Sequence, residues 1–271
     1  MLRRLALAIL VTVAVLTAAG CGGDDQSRRD AVDQYIRDIN TIEARLRSPL
    51  VEVATATRSF STRPAELRRA RPRLARAEQT IVRLERRIDK LDPPPDARKL
   101  HQRLVSLLAA ERNLTHELRR IAIVQPQLDE ATRGVAPAGK RLQAELVAAK
   151  NGREQAAALD RYRARLAQPI ERLRAIDAPP LLEPVRTAQL TTLTRLRSRG
   201  ADLAAALRKR RAREVARLVQ AFQAAARTGD TVAAQRARIA AVRAYNARVA
   251  HVSRLAALVQ RERDRLDRNL P

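Results

Sequence analysis

The sequence predicts an all-α protein, an elongated bundle of long antiparallel helices. Apolar residues recur at alternating spacings of three and four over long stretches, which is the pattern of helices that pack lengthwise. Ala, Leu and Arg dominate the composition, aromatic residues make up 2% and Trp is absent. Since these common residues favour helix and no sustained alternation of β-branched residues occurs, a β-rich fold is excluded. The 271 residues, 45% of them hydrophobic, suffice for a sizeable core.

The N-terminal segment has the layout of a signal peptide. Arg3 and Arg4 precede an apolar run over residues 5–19, and small residues lead up to Cys21. The apolar run is shorter than the roughly 20 residues that a membrane-spanning helix needs. We therefore expect residues 1–20 to be removed on export.

The stretch "LTAAGC", residues 16–21, resembles the lipobox of bacterial lipoproteins, which ends in the cysteine that receives lipid. Ala18 stands where the family usually has Leu, and ordinary signal peptidase would cut the same bond and leave an unlipidated, secreted protein. An uncleaved anchor is a third alternative. Cys21 is the single cysteine of the chain, and an unpaired cysteine in an exported protein requires an explanation. We favour lipidation of Cys21, followed by a flexible tether that ends at residue 27.

The predicted bundle occupies residues 28–271 and begins with one helix whose apolar stripe extends to Val53. Two helices then flank the sequence "LDPPPD", residues 91–96. Prolines end the first of them, and Asp96 is predicted to cap the second. The two predicted stripes comprise Leu67, Ala70, Leu74, Ala77, Ile81, Leu84, Ile88 and Leu91, then Leu100, Leu104, Leu107, Leu114, Leu118, Ile121 and Leu128, with Glu111 and Gln125 as polar exceptions. This pattern indicates a helical hairpin.

A second hairpin is predicted around "IDAPP", residues 176–180, which repeats the arrangement of the first. Its stripe comprises Leu159, Tyr162, Leu166, Leu173 and Ile176, then Leu193, Leu196, Gly200, Leu203 and Leu207. Two proline-cornered hairpins of similar design suggest an internal duplication. Residues 129–140 are the best linker, with halves at 28–128 and 140–271. A short helix around Leu218 and a last one ending near Leu266 complete the chain.

The twin proline corners and the segments "YIRDIN" and "YNARV", which begin at Tyr35 and Tyr245, extend the resemblance. Together with the lipobox they resemble uncharacterised all-helical lipoproteins of high-GC actinobacteria. The resemblance covers most of the chain as a pattern, and the lipobox is its one specific motif. It implies an exported location and an all-helical fold, and it brings no known activity.

The formal charge of +25 raises the question of a polyanionic partner. Nearly all the basic residues are Arg, which is typical of a GC-rich genome and weakens the charge as an indication of function. The densest basic run comprises Arg208, Lys209, Arg210, Arg211 and Arg213. We consider it a contact for anionic lipid headgroups or acidic wall polymers, although a solvated basic face explains it more simply. Nucleic acid is not expected, because an exported chain without nearby stacking aromatics lacks that type of site.

Patterns of catalytic and metal-binding residues argue against an enzyme. His116 and Glu117 do not continue into a zinc-protease motif, and no Glu-x-x-His pair for a di-iron bundle occurs. His101, His116 and His251 are expected at the surface or in helix seams. The tyrosines Tyr35, Tyr162 and Tyr245 lie on apolar stripes and are expected in the core. We expect no cofactor and no metal.

These observations predict a cell-envelope lipoprotein on the outer face of the cell membrane, with a non-enzymatic binding or scaffolding role. Its membrane partner would be reached through the lipid anchor, while the sequence identifies no protein partner. The alternative is a secreted or anchored helical protein that binds polyanions or anionic lipid.

Overall fold

A computed structural model describes residues 23–62, 64–230 and 232–269, and within these ranges the chain is helical without strands. The helices are α1 (Gly23–Ala44), α2 (Arg47–Thr62), α3 (Pro64–Ile88), α4 (Arg98–Thr132), α5 (Val135–Ala148), α6 (Gly152–Ala175), α7 (Glu183–Arg208), α8 (Ala212–Asp230) and α9 (Val232–Asn269). The predicted all-α fold is confirmed. Cys21 and residues 1–20, which carry the predicted lipidation and signal peptide, lie outside the described residues.

The first helix of the predicted bundle is divided in two. A turn at Arg45 and Leu46 separates α1 from α2, and Pro49 is the third residue of α2, where a missing backbone donor costs nothing. The predicted stripe nevertheless stays buried on both helices. Its buried members are Val32, Tyr35, Ile39, Ile42, Leu46 and Val53.

The tether predicted up to residue 27 is helical from Gly23 onward. The amide of Gln26 lies 3.4 Å from the carboxylate of Asp30, one helical turn ahead. Polar pairs at this spacing stabilise an exposed helix. A polar composition alone therefore did not distinguish a tether from an exposed first turn.

The first proline corner folds α3 back along α4. Arg112 on α4 binds Glu85 on α3 at 2.9 Å, and His116 lies 2.8 Å from Glu78 one to two turns further from the corner. This order of partners requires antiparallel helices. The corner itself contains a 3₁₀ turn, Pro95–Ala97, which ends against the start of α4.

Asp96 does not cap α4, contrary to expectation. It lies within the 3₁₀ turn, whose N-cap is Pro94 without a side-chain cap bond. The Asp96 carboxylate instead accepts a hydrogen bond from Arg28 at 3.0 Å. The third proline of the corner, Pro95, begins this 3₁₀ turn ahead of α4, and the Asp96 carboxylate pairs with a residue that is distant in the sequence.

The second proline corner joins α6 and α7 as predicted. Arg186 near the start of α7 donates to the carbonyl of Leu173 near the end of α6 at 3.2 Å. At the far end, the Cβ position of Gly152 lies 3.4 Å from the carbonyl of Leu207. The two helices are antiparallel along their length, with α5 packed on α6 and α8 packed on α7.

The predicted linker is helical apart from the turn at Arg133 and Gly134. Ala131 and Ala138 are buried on either side of this turn, so the segment packs against neighbouring helices. Pro137 falls in the first turn of α5, where proline is tolerated. The prediction of a linker over residues 129–140 was therefore wrong.

The chain divides into two compact units that are not sequential halves. The terminal unit takes its described residues from Met1–Thr57, Pro72–His116 and Ala247–Pro271, and the central unit from Arg58–Arg71 and Glu117–Asn246. One buried cluster explains the terminal unit, because it joins α1, α3, α4 and α9. Its members are Tyr35, Ile39, Ile42, Leu46, Ile81, Leu84, Ile88, Ala97, Leu100, Leu104, Leu108, Val259 and Leu266. The predicted halves at 28–128 and 140–271 therefore do not match the packing.

Candidate functional site

The predicted anionic contact forms the exposed connection between α7 and α8. We call residues 208–213 the basic turn. Its cations Arg208, Lys209, Arg210, Arg211 and Arg213 are all exposed. The structure thus brings together the five residues that the sequence singled out, with Arg208 at the end of α7 and Arg213 in the first turn of α8.

Two of these cations already have acidic partners. Arg208 pairs with Asp160 on α6, and Arg211 lies 3.2 Å from Glu214 in the first turn of α8. No ion pair of Lys209, Arg210 or Arg213 occurs with the described residues. Three cations of the basic turn are therefore available to an external anion.

The backbone of the basic turn is fixed by hydrogen bonds at the end of α7. The amide of Arg210 donates to the carbonyl of Leu207 and the amide of Arg211 to that of Ala206, both at 3.2 Å. These two bonds define a Schellman motif, in which the residue after the C-cap is left-handed. That residue is Arg210, with φ of 54°, and it is the one non-glycine residue with positive φ in the described ranges.

A buried carboxyl in the terminal unit is the main polar feature that the sequence did not assign to a site. Glu111 on α4 is only 6% exposed, and the hydroxyl of Thr115 donates to its backbone carbonyl at 2.8 Å. Burial and, to a lesser extent, the nearby negative charge of Glu43 together raise the pKa of the Glu111 carboxyl to about 8. Glu111 is therefore held mostly neutral at pH 7. Its position as an acid within an apolar stripe was the signal in the sequence.

Glu43 on α1 is balanced by a cation from the C-terminal helix. Arg263 on α9 donates to its carboxylate at 2.5 Å, with both side chains largely buried. The hydroxyl of Tyr35 lies 2.9 Å from Nδ1 of His101. Burial raises the pKa of Tyr35, and the charge of Arg263 opposes that effect. These groups give the core of the terminal unit a polar interior.

The C-terminal helix also pairs with α4 and the first corner. Glu262 on α9 accepts from Lys99 at 2.8 Å and from Arg265 at 2.9 Å, and the Lys99 hydrogen bond is the main reason that the pKa of Glu262 is lowered. Arg265 in turn donates to the backbone carbonyl of Asp96 at 3.0 Å. These contacts hold α9 in the terminal unit and engage its charges within the protein.

The remaining predicted residues occupy ordinary structural positions. Tyr35, Tyr162 and Tyr245 are buried as expected. His116 and His251 are exposed, and His101 is half-buried beside Tyr35. Within the ranges that the structure covers, no cluster of three or more His, Cys, Asp or Glu side chains is suited to a metal ion.

Helices that could cross a bilayer were sought among the described residues, and none is long and apolar enough. No protein family, curated protein or solved structure was found to match the chain.

Proposed function

We propose that the chain is an exported lipoprotein of the cell envelope, anchored through Cys21 on the outer face of the cell membrane. The observation that carries this proposal is the stretch "LTAAGC" at the end of a signal-peptide pattern, with Cys21 as the single thiol. Lipidation gives this cysteine a role that a disulfide cannot, since the chain has no second cysteine. Stable attachment needs two acyl signals, because one chain binds membranes only marginally.

The role that we propose for the anchored bundle is non-enzymatic binding or scaffolding at the membrane surface. Its helices offer long faces rich in Arg, and the charged groups in the interior of the terminal unit engage one another. Glu43 and Glu262 each hold a cation of the same unit. Glu111 is a titratable group of the core of this unit, and only 6% of the residue is exposed. This arrangement supports recognition through surfaces rather than chemistry in a cleft.

Substitution of the cysteine tests the anchor. The Cys21→Ser variant, expressed in a bacterium that processes lipoproteins, should move from the membrane fraction to the soluble or secreted fraction. Mass spectrometry of the N-terminal peptide of the wild-type protein should show acyl chains on Cys21. The matched control is Ser27→Ala, which leaves the cysteine in place and should remain with the membrane.

A high-salt wash separates the anchor from electrostatic adhesion, which salt screens. If Cys21→Ser stays on membranes after the wash, the protein is held by another route and the proposal fails. A wild-type protein that is soluble and carries an unmodified N-terminal Cys21 would instead establish the secreted alternative.

The basic turn favours a second function, the binding of anionic surfaces. Lys209, Arg210 and Arg213 are exposed and lack acidic partners among the described residues. Affinity for a polyanion should fall steeply with salt because bound counterions are released. An affinity for anionic vesicles that does not change with salt would contradict this second function.

A further inference from the structure

We infer that the basic turn is a binding site for the phosphate groups of anionic lipid headgroups, and that Arg210 occupies a glycine position for this purpose. The inference deepens the second function proposed above and rests on it. Three steps support it: the geometry of the turn, the state of its charges, and the chemistry that those charges fit.

The geometry shows a residue that is unusual for its position. In a Schellman motif the left-handed residue is usually Gly, because a side chain there meets the backbone. This chain does not use a glycine there. At the end of α7 it places Arg210 at φ of 54° instead. A cation has replaced the residue that would best stabilise the turn.

A second feature of the motif is also replaced by a charge. The residue after the left-handed one commonly packs an apolar side chain on the last turn of the helix. Here it is Arg211, which is exposed and pairs with Glu214. Arg210 and Arg211 therefore occupy the two positions at which Gly and an apolar residue would make the motif most stable. Strained residues of this kind concentrate at functional sites.

The available cations project from an exposed turn rather than enclosing a cavity. Arg208 is held by Asp160 and Arg211 by Glu214, so the two cations on either side of Lys209 and Arg210 are engaged within the protein. Lys209, Arg210 and Arg213 remain for an external partner. Three separate cations on an exposed loop fit several phosphates on a surface better than one enclosed ion. One guanidinium group can donate to two oxygens of the same phosphate. Clusters of basic residues of this type bind anionic leaflets of membranes.

Vesicle binding tests the site without the lipid anchor. The chain from residue 21, with Cys21→Ser, is mixed with phosphatidylcholine vesicles or with vesicles that also contain phosphatidylglycerol, and the bound fraction is measured by sedimentation. We expect binding to the anionic vesicles alone. Neutralising Lys209, Arg210 and Arg213 to Gln should weaken it on the order of 100-fold, since each cation contributes about fivefold near an anionic surface.

A matched triple variant separates the site from net charge. Lys140, Arg141 and Arg172 are also exposed cations of the central unit, and their replacement by Gln removes the same charge. This control should retain most of the affinity. Equal losses in the two triple variants would overturn the site, because net charge alone would then explain binding. Circular dichroism verifies that each variant is folded.

The variant Arg210→Gly gives a readout that a merely solvated loop would not produce. It should raise Tm by about 2–4 °C, because it removes the strain of the left-handed residue. It should also weaken binding to anionic vesicles about fivefold. A Tm that stays the same or falls would overturn the assignment of Arg210, as would unchanged binding.

Inorganic phosphate distinguishes a membrane site from a soluble-anion site. We expect it to change neither the Tm of the wild-type protein nor that of the Gln triple variant beyond a general salt effect. A stabilisation of the wild type that disappears in the triple variant would assign the turn to free phosphate and overturn the lipid proposal. Because every arm uses the unlipidated chain, failure here is distinct from failure of the Cys21 anchor.

Discussion

The two proline-cornered hairpins share a design but differ in what they bury between their helices. The α3–α4 hairpin of the terminal unit buries the carboxyls Glu85 and Glu111. The α6–α7 hairpin of the central unit buries the uncharged polar groups Gln189 and Thr192 among its apolar residues. The same sequence pattern has therefore produced the same fold with two kinds of interior.

This difference separates what specifies the fold from what sets its response to conditions. Apolar residues at helical spacing and a proline break specify each hairpin, and a single acid in the stripe does not prevent helix packing. That acid must, however, give up its charge or find a cation. Glu85 has Arg112 at 2.9 Å, whereas burial and Glu43 leave Glu111 with a raised pKa. From pH 5 to pH 8 the stability of the terminal hairpin should therefore depend on pH, and that of the central hairpin should not.

Truncation of a core leucine should have the largest effect, and an equal one in both hairpins. Leu104 on α4 and Leu166 on α6 are fully buried, so Leu104→Ala and Leu166→Ala should each cost about 2–5 kcal/mol. Urea denaturation monitored by circular dichroism measures the change. A cost well below this range in one hairpin would show that its apolar seam is not a packed core.

The second-largest effect should be the pH dependence of stability, which should differ between the two hairpins. The folded protein keeps the Glu111 proton up to about pH 8, whereas the unfolded chain releases it near the ordinary value of 4.5. The folded state therefore binds more protons, and this contribution is full below pH 4.5 and is lost as pH rises. Between pH 4.5 and about pH 8, the free energy of unfolding should fall by about 1.4 kcal/mol per pH unit.

Two variants assign this pH dependence to its group. Glu111→Gln should flatten the decline, because its amide does not ionise. Glu171→Gln, an exposed acid of the central hairpin, should leave the decline as it is in the wild type. A decline that persists in Glu111→Gln would assign the titration to another group.

Removal of Arg263 should have an intermediate effect. Arg263→Met leaves the Glu43 carboxylate without its cation and close to Glu111, so unfolding free energy should fall by about 1–3 kcal/mol at neutral pH. Arg174→Met, which breaks the exposed pair with Glu171 in the central hairpin, should cost no more than about 1 kcal/mol. Equal costs measured by urea denaturation would contradict the distinction between the two interiors.

Gly200 should show the smallest effect. A Cβ added there would lie 3.2 Å from Cγ of Arg163, which can move, and alanine favours helix over glycine by about 0.5–1 kcal/mol. The two contributions oppose each other, so Gly200→Ala should change stability by less than about 0.5 kcal/mol. A thermal melt that shows a large loss would mean that the close approach of α6 and α7 depends on this glycine.

The sequence predicted the helices well because their stripes and proline breaks act locally. The predicted buried faces were accurate enough to identify both hairpins, although Leu108 rather than Leu107 belongs to the buried cluster of the first hairpin. Residues spaced either three or four apart lie on the same helix face, so such a stripe identifies the buried position only to within one residue. The linker predicted over residues 129–140 contains Pro137, which lies within the first turn of α5.

The domain organisation and the polar interior could not be predicted, because both depend on residues far apart in the chain. The pair of Glu43 and Arg263 joins α1 to α9, and Asp96 meets Arg28 rather than its own helix. The basic turn was found from its composition alone. The left-handed conformation of Arg210 could not be predicted, because Gly rather than Arg is the residue that indicates this conformation in a sequence. The internal duplication stays a hypothesis.

Hydrogen exchange as a function of pH tests the contrast between the hairpins most directly. Protection of backbone amides, corrected for the intrinsic exchange rate, would be compared between residues 104–118 around Glu111 and residues 156–173 of α6, from pH 5 to pH 8. We predict that protection falls with rising pH around Glu111, stays constant in α6, and becomes constant in both segments in Glu111→Gln. Equal pH dependence in the two segments, or none around Glu111, would contradict the account.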